Sequence, residues 1–195
     1  MMPGIIVIGA SLGGLRALNL VLGNLPKDFR LPIVIVQHRS NELDASLVKQ
    51  LQQSCKLRVS EAEDKEDIIA GRVYVAPAGY HLLIDSSLFC LSVDQPVLHA
   101  RPSIDVAFES AADAFGSRTI GVVLTGASND GAKGAALIKT RGGTIIVEDP
   151  VSAECATMPA AAIKSVGTVD AILPLPEIAP FLLKLSLRNG DRKDE

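Results

Sequence analysis

Short apolar runs alternate along the chain with segments in which apolar residues recur every three or four positions. The runs predict strands at residues 5–8, 32–37, 57–60, 72–76, 119–125, 144–147 and 169–173. The periodic segments predict helices at residues 15–25, 44–53, 103–115, 132–141 and 177–187. Because alternating strands and helices join through right-handed crossovers, this order predicts an α/β fold: a doubly wound, mostly parallel sheet with helices on both faces.

One segment interrupts the alternation. Residues 81–93 contain two short β-type runs around a polar turn at residues 85–87, and no helix fits between them. Two strands joined by so short a turn must run antiparallel. The segment therefore predicts an antiparallel hairpin appended to the sheet.

Composition predicts one domain without nucleic-acid or membrane contacts. The 195 residues are 48% hydrophobic, enough for a single core over residues 1–188, with a polar C-terminal tail at 189–195. A net charge of −3, 4% aromatics and no tryptophan argue against nucleic-acid binding. Glycines from Gly9 onward interrupt the first apolar run too early for a signal peptide or membrane span, so we expect a cytoplasmic protein.

The cysteines and two of the histidines do not form a metal-binding pattern. Cys55, Cys90 and Cys155 are widely spaced and form neither a disulfide framework nor a CxxC pair, so we interpret them as buried thiols. His81 and His99 have no second ligand at metal-binding spacing and are interpreted as surface or hydrogen-bonding residues. The sequence therefore predicts no metal.

The most informative polar residues stand just beyond strand ends. Ser11 follows the first strand in a glycine-rich turn, His38 follows the second, and Asp130 lies in the loop after the strand at 119–125. The carboxyl ends of parallel strands share one edge of a sheet, where ligands collect. Serine, histidine and aspartate at that edge predict a hydrolytic triad of nucleophile, base and orienting acid. The N–H groups of Leu12 and Gly13 are candidate oxyanion donors.

Each member also has a purely structural interpretation. Ser11 suits an N-cap of the following helix, His38 a hydrogen-bonded core histidine, and Asp130 the cap of a helix that begins near Ala132. The glycine-rich turn also suits a nucleotide-binding domain. That alternative is weaker because serine stands where a glycine should approach the pyrophosphate, and Gln37 rather than an acidic residue ends the second strand.

Several ordered motifs give the chain a specific resemblance to a known family. They are Ile8-Gly9-Ala10-Ser11-Leu12-Gly13-Gly14, Gln37-His38, Tyr74-Val75-Ala76-Pro77-Ala78-Gly79 followed by His81-Leu82, Arg101-Pro102-Ser103-Ile104-Asp105, Leu124-Thr125-Gly126 with Asn129-Asp130-Gly131-Ala132, and Met158-Pro159 with Ala162-Ile163. Together they run nearly from end to end. The chain resembles the catalytic domain of the CheB-type chemotaxis protein-glutamate methylesterases.

The resemblance implies a serine esterase that removes methyl groups from glutamyl methyl esters on the cytoplasmic helices of methyl-accepting chemotaxis receptors. It also implies an associated glutamine deamidase activity. By position, the family's nucleophile, base and acid fall on Ser11, His38 and Asp130, and no cofactor is required. A non-catalytic signalling or binding module with the same fold is the alternative.

The chain departs from the family pattern in three places. The family usually carries an N-terminal receiver domain, whereas this chain starts almost at the first catalytic strand, so we expect a stand-alone domain regulated by a separate receiver protein, if by any. Leu12 replaces a small residue after the serine, and Ala127 and Ser128 stand in the usual Thr-Gly-Met-Gly stretch. Substrate contacts are therefore where differences from the family are expected.

Overall fold

The computed structural model of the protein describes residues 4–39 and 46–190. Its strands are β1 Ile5–Ala10, β2 Ile33–Gln37, β3 Arg58–Glu61, β4 Arg72–Val75, β5 His81–Asp85, β6 Leu88–Ser92, β7 Thr119–Val123, β8 Thr144–Glu148 and β9 Ala171–Leu173. Its helices are α1 Gly14–Gly23, α2 Ser46–Ser54, α3 Ile104–Phe115, α4 Ala132–Thr140, α5 Thr157–Val166 and α6 Leu175–Gly190. The predicted α/β fold with a parallel sheet is confirmed.

Seven strands form one sheet in the order β3-β4-β2-β1-β7-β8-β9, and every neighbouring pair is parallel. From β1 the chain first winds towards β3 and then returns to build β7, β8 and β9 on the other side. The strand order therefore reverses between β1 and β7. In open α/β sheets, this reversal opens a crevice at the carboxyl ends of the strands.

The sheet separates two apolar layers because successive side chains of a strand point to opposite faces. Ile6 and Ile8 of β1 belong to the layer that contains α1, α2 and α6. Ile5 and Val7 belong to the other layer, with α3, α4, α5 and the hairpin. All of β1 is buried, which explains its continuous run of apolar residues.

The predicted hairpin is confirmed as a separate two-stranded antiparallel sheet of β5 and β6. It packs on α3, and the Ile84 N–H donates a hydrogen bond of 3.0 Å to Ser110 Oγ of that helix. Phe89 of the hairpin contacts Tyr74 of β4 edge to face, with ring centroids 4.8 Å apart. The hairpin thus contacts both the middle of α3 and the main sheet.

Two sequence-based interpretations need correction, and two others fall partly beyond the described residues. Helix α5 was not predicted; Pro159 is tolerated there because it lies in the first turn, where an N–H has no helical partner. Only Cys55 is buried, while Cys90 and Cys155 are half-buried, so the buried-thiol interpretation is wrong for both. The expected start of α2 at residues 44–45 and most of the expected tail, 191–195, lie outside the described residues.

None of the helices in the described residues has the length and apolar character needed to cross a membrane.

Two glycines allow a matched test of how closely the helices pack. In α4, a Cβ at Gly134 would collide with Phe108 Cβ of α3 and lie 3.0 Å from the Asp105 carbonyl oxygen. In α1, a Cβ at Gly23 would meet Ser54 at ordinary contact distances, 3.4 Å from its carbonyl oxygen and 3.8 Å from its Cβ. We expect Gly134→Ala to lower the free energy of unfolding by about 1–3 kcal/mol through overpacking.

Gly23→Ala is the control, and should be neutral or raise the free energy of unfolding by up to about 1 kcal/mol through helix propensity. Urea denaturation followed by circular dichroism measures both. Equal effects of the two substitutions would contradict the close contact between α3 and α4.

Candidate active site

Ser11 lies immediately after β1, in the crevice between β1 and β7. Its N–H donates to the Thr125 carbonyl oxygen beyond β7, at 3.0 Å, which ties the two strand ends together. The N-cap of α1 is Gly13, at φ 78°, with no capping side chain. The N-cap interpretation of Ser11 is therefore wrong, and its hydroxyl forms no hydrogen bond with the described residues.

His38 and Asp130 come together although they are 92 residues apart in the sequence. His38 Nε2 lies 2.7 Å from Asp130 Oδ2. The His38 side chain is 15% exposed, whereas that of Asp130 is fully buried. The structure thus joins the predicted base and acid, and leaves the base facing the crevice.

The Asp130 carboxylate is surrounded by hydrogen-bond donors. Besides His38, the N–H of Ile104 donates to Oδ2 at 2.7 Å, and the N–H of Asp105 and the hydroxyl of Ser103 donate to Oδ1 at 2.9 Å each. Asp130 therefore caps α3, which is distant in sequence.

The predicted cap of the adjacent helix is wrong. Helix α4 begins after Gly131, at φ 94°, without a side-chain cap.

These donors determine the charge of Asp130 and the tautomer of His38. Burial opposes a charged carboxylate, but the hydrogen bonds from His38 and from the N–H groups of Asp105 and Ile104 outweigh it and lower the pKa of Asp130. An ionised carboxylate only accepts hydrogen bonds, so Nε2 of His38 carries the hydrogen. In the neutral ring Nδ1 then holds the lone pair, and it forms no hydrogen bond with the described residues.

Gln37 braces the site, a role that the sequence did not reveal. Its Nε2 donates to the carbonyl oxygens of Ser11 at 2.8 Å and His38 at 2.9 Å. The side chain occupies the space beside Gly14, where any Cβ would collide with Gln37 Oε1. A buried amide at the end of an apolar strand was the available signal, because a buried polar group must find partners nearby.

The loop after β7 packs directly on the serine. Thr125 Oγ1 donates to the Leu12 carbonyl oxygen at 2.9 Å. A Cβ at Gly126 would lie 2.8 Å from Ser11 Cβ and would collide with Met158 Sδ of α5. Only glycine fits at position 126 without displacing the serine.

The N–H groups of Leu12 and Gly13, predicted as oxyanion donors, form no hydrogen bond with the described residues. They stand at the N-terminus of α1, where the helix dipole favours negative charge. The N–H of Ser11 is already bound to Thr125 and does not join them. The turn can therefore offer two backbone donors to an anion beside Ser11.

Open cavities surround these groups. The serine cleft, of about 610 Å³, is lined by Ser11, Leu12, Gly13, Gly14, Leu15, Arg16, Gln37, His38 and Glu154. A second cavity of about 500 Å³ shares His38 and is lined by Arg39, Pro96, Leu98, His99, Ala100, Arg101 and Pro102. A third, of about 720 Å³, shares Leu98 and lies between α4 and α5. The site is thus wide enough to meet a protein surface.

Arg39 and Arg101 are held by the protein itself. Arg39 pairs with Glu61 at 2.6 Å, and Arg101 donates to the carbonyl oxygens of Val93 and Asp94 at 2.8 and 3.0 Å. These contacts favour a structural role for both arginines.

No group of three potential metal ligands occurs among the described residues.

Comparison with known proteins places the chain in a family. A sequence model described as CheB methylesterase matches residues 6–182. The chain belongs to the CheB methylesterase family.

Solved and curated relatives agree with this assignment. The crystal structure of the Thermotoga maritima CheB methylesterase catalytic domain superposes with a TM-score of 0.90 at 39% identity, covering 93% of this chain and 98% of that one. A Leptospira interrogans protein is 44% identical, with 96% of this chain and 97% of that protein covered. The full-length Thermotoga maritima protein-glutamate methylesterase/protein-glutamine glutaminase is 40% identical, and this chain spans 54% of it.

In this CheB-family chain, a second buried carboxylate supports the serine turn from behind. Glu148 ends β8, is 1% exposed, and accepts the Thr125 N–H at 2.7 Å. Burial raises the pKa of Glu148; the Thr125 hydrogen bond and the charge of Arg16 oppose the shift, and Glu154 adds to it. Burial thus makes Glu148 easier to protonate in the folded protein than in the unfolded chain.

Replacing Glu148 by glutamine should therefore change stability in a pH-dependent way. The folded protein holds this proton more tightly than the unfolded chain, so the wild type loses stability as pH rises from about 4.5 through the raised pKa. Glutamine has no such titration. We expect the free energy of unfolding of Glu148→Gln, relative to that of the wild type, to be greater near pH 7 than at about pH 4.

Urea denaturation at several pH values measures this difference. The exposed Glu63→Gln, which also removes one carboxylate and lies outside any helix of the described residues, is the control for the lost charge. A difference between Glu148→Gln and wild type that is constant across pH would contradict the assigned shift.

Proposed function

We propose that this chain is a serine hydrolase that demethylates glutamyl methyl esters on proteins, with Ser11 as nucleophile, His38 as base and Asp130 as orienting acid. The observation that carries the proposal is the 2.7 Å contact of His38 with a buried Asp130, beside a serine in the strand-reversal crevice. The Thermotoga maritima and Carboxydothermus hydrogenoformans relatives, 40% and 45% identical, are named protein-glutamate methylesterase/protein-glutamine glutaminase.

The chemistry proceeds in two halves. Nδ1 of His38 accepts the proton of the Ser11 hydroxyl while its oxygen attacks the ester carbonyl carbon. The N–H groups of Leu12 and Gly13 stabilise the oxyanion, the C–O bond to the methoxy group breaks, and His38 returns the proton so that methanol leaves. Water then attacks the glutamyl–Ser11 ester with His38 again as base, which releases the glutamate side chain and restores the serine.

The Ser11 hydroxyl and His38 are not hydrogen-bonded to each other in the described residues. Such contacts are often long in ligand-free enzymes and shorten when substrate binds. The same steps applied to a glutamine side chain release ammonia, so we extend the proposal to glutamine deamidation.

We further propose that the substrate is the cytoplasmic helical region of a chemoreceptor, with a separate receiver protein as regulator, and that the reaction occurs in the cytoplasm. The breadth of the three cavities suits a protein substrate. On either side of the third cavity, α4 and α5 present the exposed cations Lys133 and Lys164. A receptor helix rich in glutamates matches these charges.

Replacement of the nucleophile or the acid tests the chemistry. We expect Ser11→Ala and Asp130→Asn to lower kcat for methanol release by about 10³-fold or more, because the first removes the attacking oxygen and the second the charge that orients the base. The substrates are a methylated receptor fragment and a small glutamyl γ-methyl ester. Ser117→Ala, an exposed serine far from the crevice, is the control.

A serine-directed fluorophosphonate should label Ser11 and should fail to do so in His38→Ala. Normal turnover by Ser11→Ala would refute the mechanism. Receptor binding without turnover by the wild type would favour the non-catalytic signalling module.

Reversing the charges of the two lysines beside the third cavity tests whether a receptor helix docks there. We expect Lys133→Glu with Lys164→Glu to raise KM for the methylated receptor fragment by about 3- to 10-fold at low salt, with kcat unchanged, because exposed charges mainly steer association. Turnover of the small ester should not change. Lys27→Glu, in the loop before β2 at the opposite edge of the sheet, is the control. An equal KM increase for the small ester would contradict a role in receptor docking.

A further inference from the structure

The hydrogen bonds around Asp130 continue into the hairpin through two buried residues outside the triad. Ser103 donates its hydroxyl to Asp130 Oδ1 at 2.9 Å and its N–H to His81 Nδ1 at 3.3 Å. His81 Nε2 in turn contacts the carbonyl oxygen of Gln95 at 3.1 Å. Ser103 is 0% and His81 2% exposed, so water does not compete for these bonds.

The partners of His81 determine its state. The backbone N–H of Ser103 can only donate, so Nδ1 must hold a lone pair. The carbonyl oxygen of Gln95 can only accept, so Nε2 must carry the hydrogen. A neutral imidazole in this single tautomer satisfies both contacts, and neither ring nitrogen remains to act on a substrate.

The hydroxyl of Ser103 serves the acid more than the helix. As the N-cap of α3 it accepts the Val106 N–H at 3.4 Å, a long contact, whereas its bond to Asp130 is 2.9 Å. The first N–H groups of α3, from Ile104 and Asp105, are already bound by Asp130. The stronger contact of the Ser103 hydroxyl is therefore the one with Asp130 Oδ1, and not the one with the helix backbone.

We propose that Ser103 and His81 are positioning residues for the acid of this site: His81 holds the Ser103 backbone, and the Ser103 hydroxyl holds Oδ1 so that Oδ2 faces His38. The inference rests on the proposed function, since it assumes that Asp130 orients the base. A carboxylate held at one oxygen cannot rotate about its side-chain bonds without breaking that contact. His81, at the start of the hairpin, is thereby connected through Ser103 and Asp130 to His38.

Substitution of Ser103 is the primary experiment, with kcat and KM for the small glutamyl ester measured as a function of pH. We expect Ser103→Ala to lower kcat about 10- to 100-fold, with KM changed less than about 3-fold, since a hydrogen bond to a charged group is lost. Removing a donor leaves more negative charge on the Asp130 oxygens. This charge favours the protonated form of the base beside them, so the acid limb of the kcat profile moves to higher pH. Ser103→Thr keeps the hydroxyl and should restore both properties.

Substitution of His81 tests the outer link. His81→Asn retains an acceptor near the position of Nδ1, and should remain within about 3-fold of wild-type kcat. His81→Leu removes the acceptor and should lower kcat and move the acid limb in the same direction as Ser103→Ala. Ala112→Gly, which weakens α3 away from its start, controls for lost stability and should leave the acid limb in place.

The outcomes separate this proposal from the function on which it rests. If Ser11→Ala or Asp130→Asn retains full turnover, the proposed function fails. If both lose turnover while Ser103→Ala keeps wild-type kcat and acid limb, only the positioning role of Ser103 is overturned. If the two His81 variants behave alike, the acceptor of His81 does not position Ser103. If Ala112→Gly moves the acid limb as far as Ser103→Ala does, the network acts through stability alone. Either result overturns the proposal.

Discussion

One buried negative charge organises this molecule. An ionised carboxylate is stable in a protein interior only when its oxygens are fully hydrogen-bonded. Asp130 meets that condition with a hydroxyl, two backbone N–H groups at the start of α3 and the ring of His38. The donors come from segments far apart in sequence, so the charge can be buried only after β2, β7 and α3 have assembled. The site is therefore a product of the completed fold.

The close approach of α3 to this point explains two glycines that lie far apart in the chain. Cβ atoms at Gly9 of β1 and at Gly131 before α4 would lie 2.5 and 2.7 Å from Ile104 Cγ2, at the first residue of α3. A side chain at either position would force Ile104 to shift. The two glycines therefore let the start of α3 lie close enough to the sheet for its N–H groups to reach Asp130.

The fold class, the hairpin and the positions of the three polar residues at strand ends could be predicted, because each depends on residues that are neighbours in the sequence. The interpretation of Asp130 as a cap was correct in kind but named the wrong helix, because α3 lies before Asp130 in sequence and meets it only in the folded state. Gln37 and the link through His81 also depend on long-range contacts, which periodicity does not encode.

The hydrogen bond from His38 to Asp130 is not needed to stabilise the buried carboxylate. Helix α3 already supplies three donors to Asp130, which is the usual environment of a buried capping carboxylate. The fourth donor comes from a ring whose other nitrogen is left in the serine cleft, among residues braced to the Ser11 backbone through Gln37. A core histidine would instead satisfy both nitrogens, as His81 does. Both ring nitrogens of His81 are used in structural contacts, whereas His38 keeps one ring nitrogen in the serine cleft, as the proposed role of base requires.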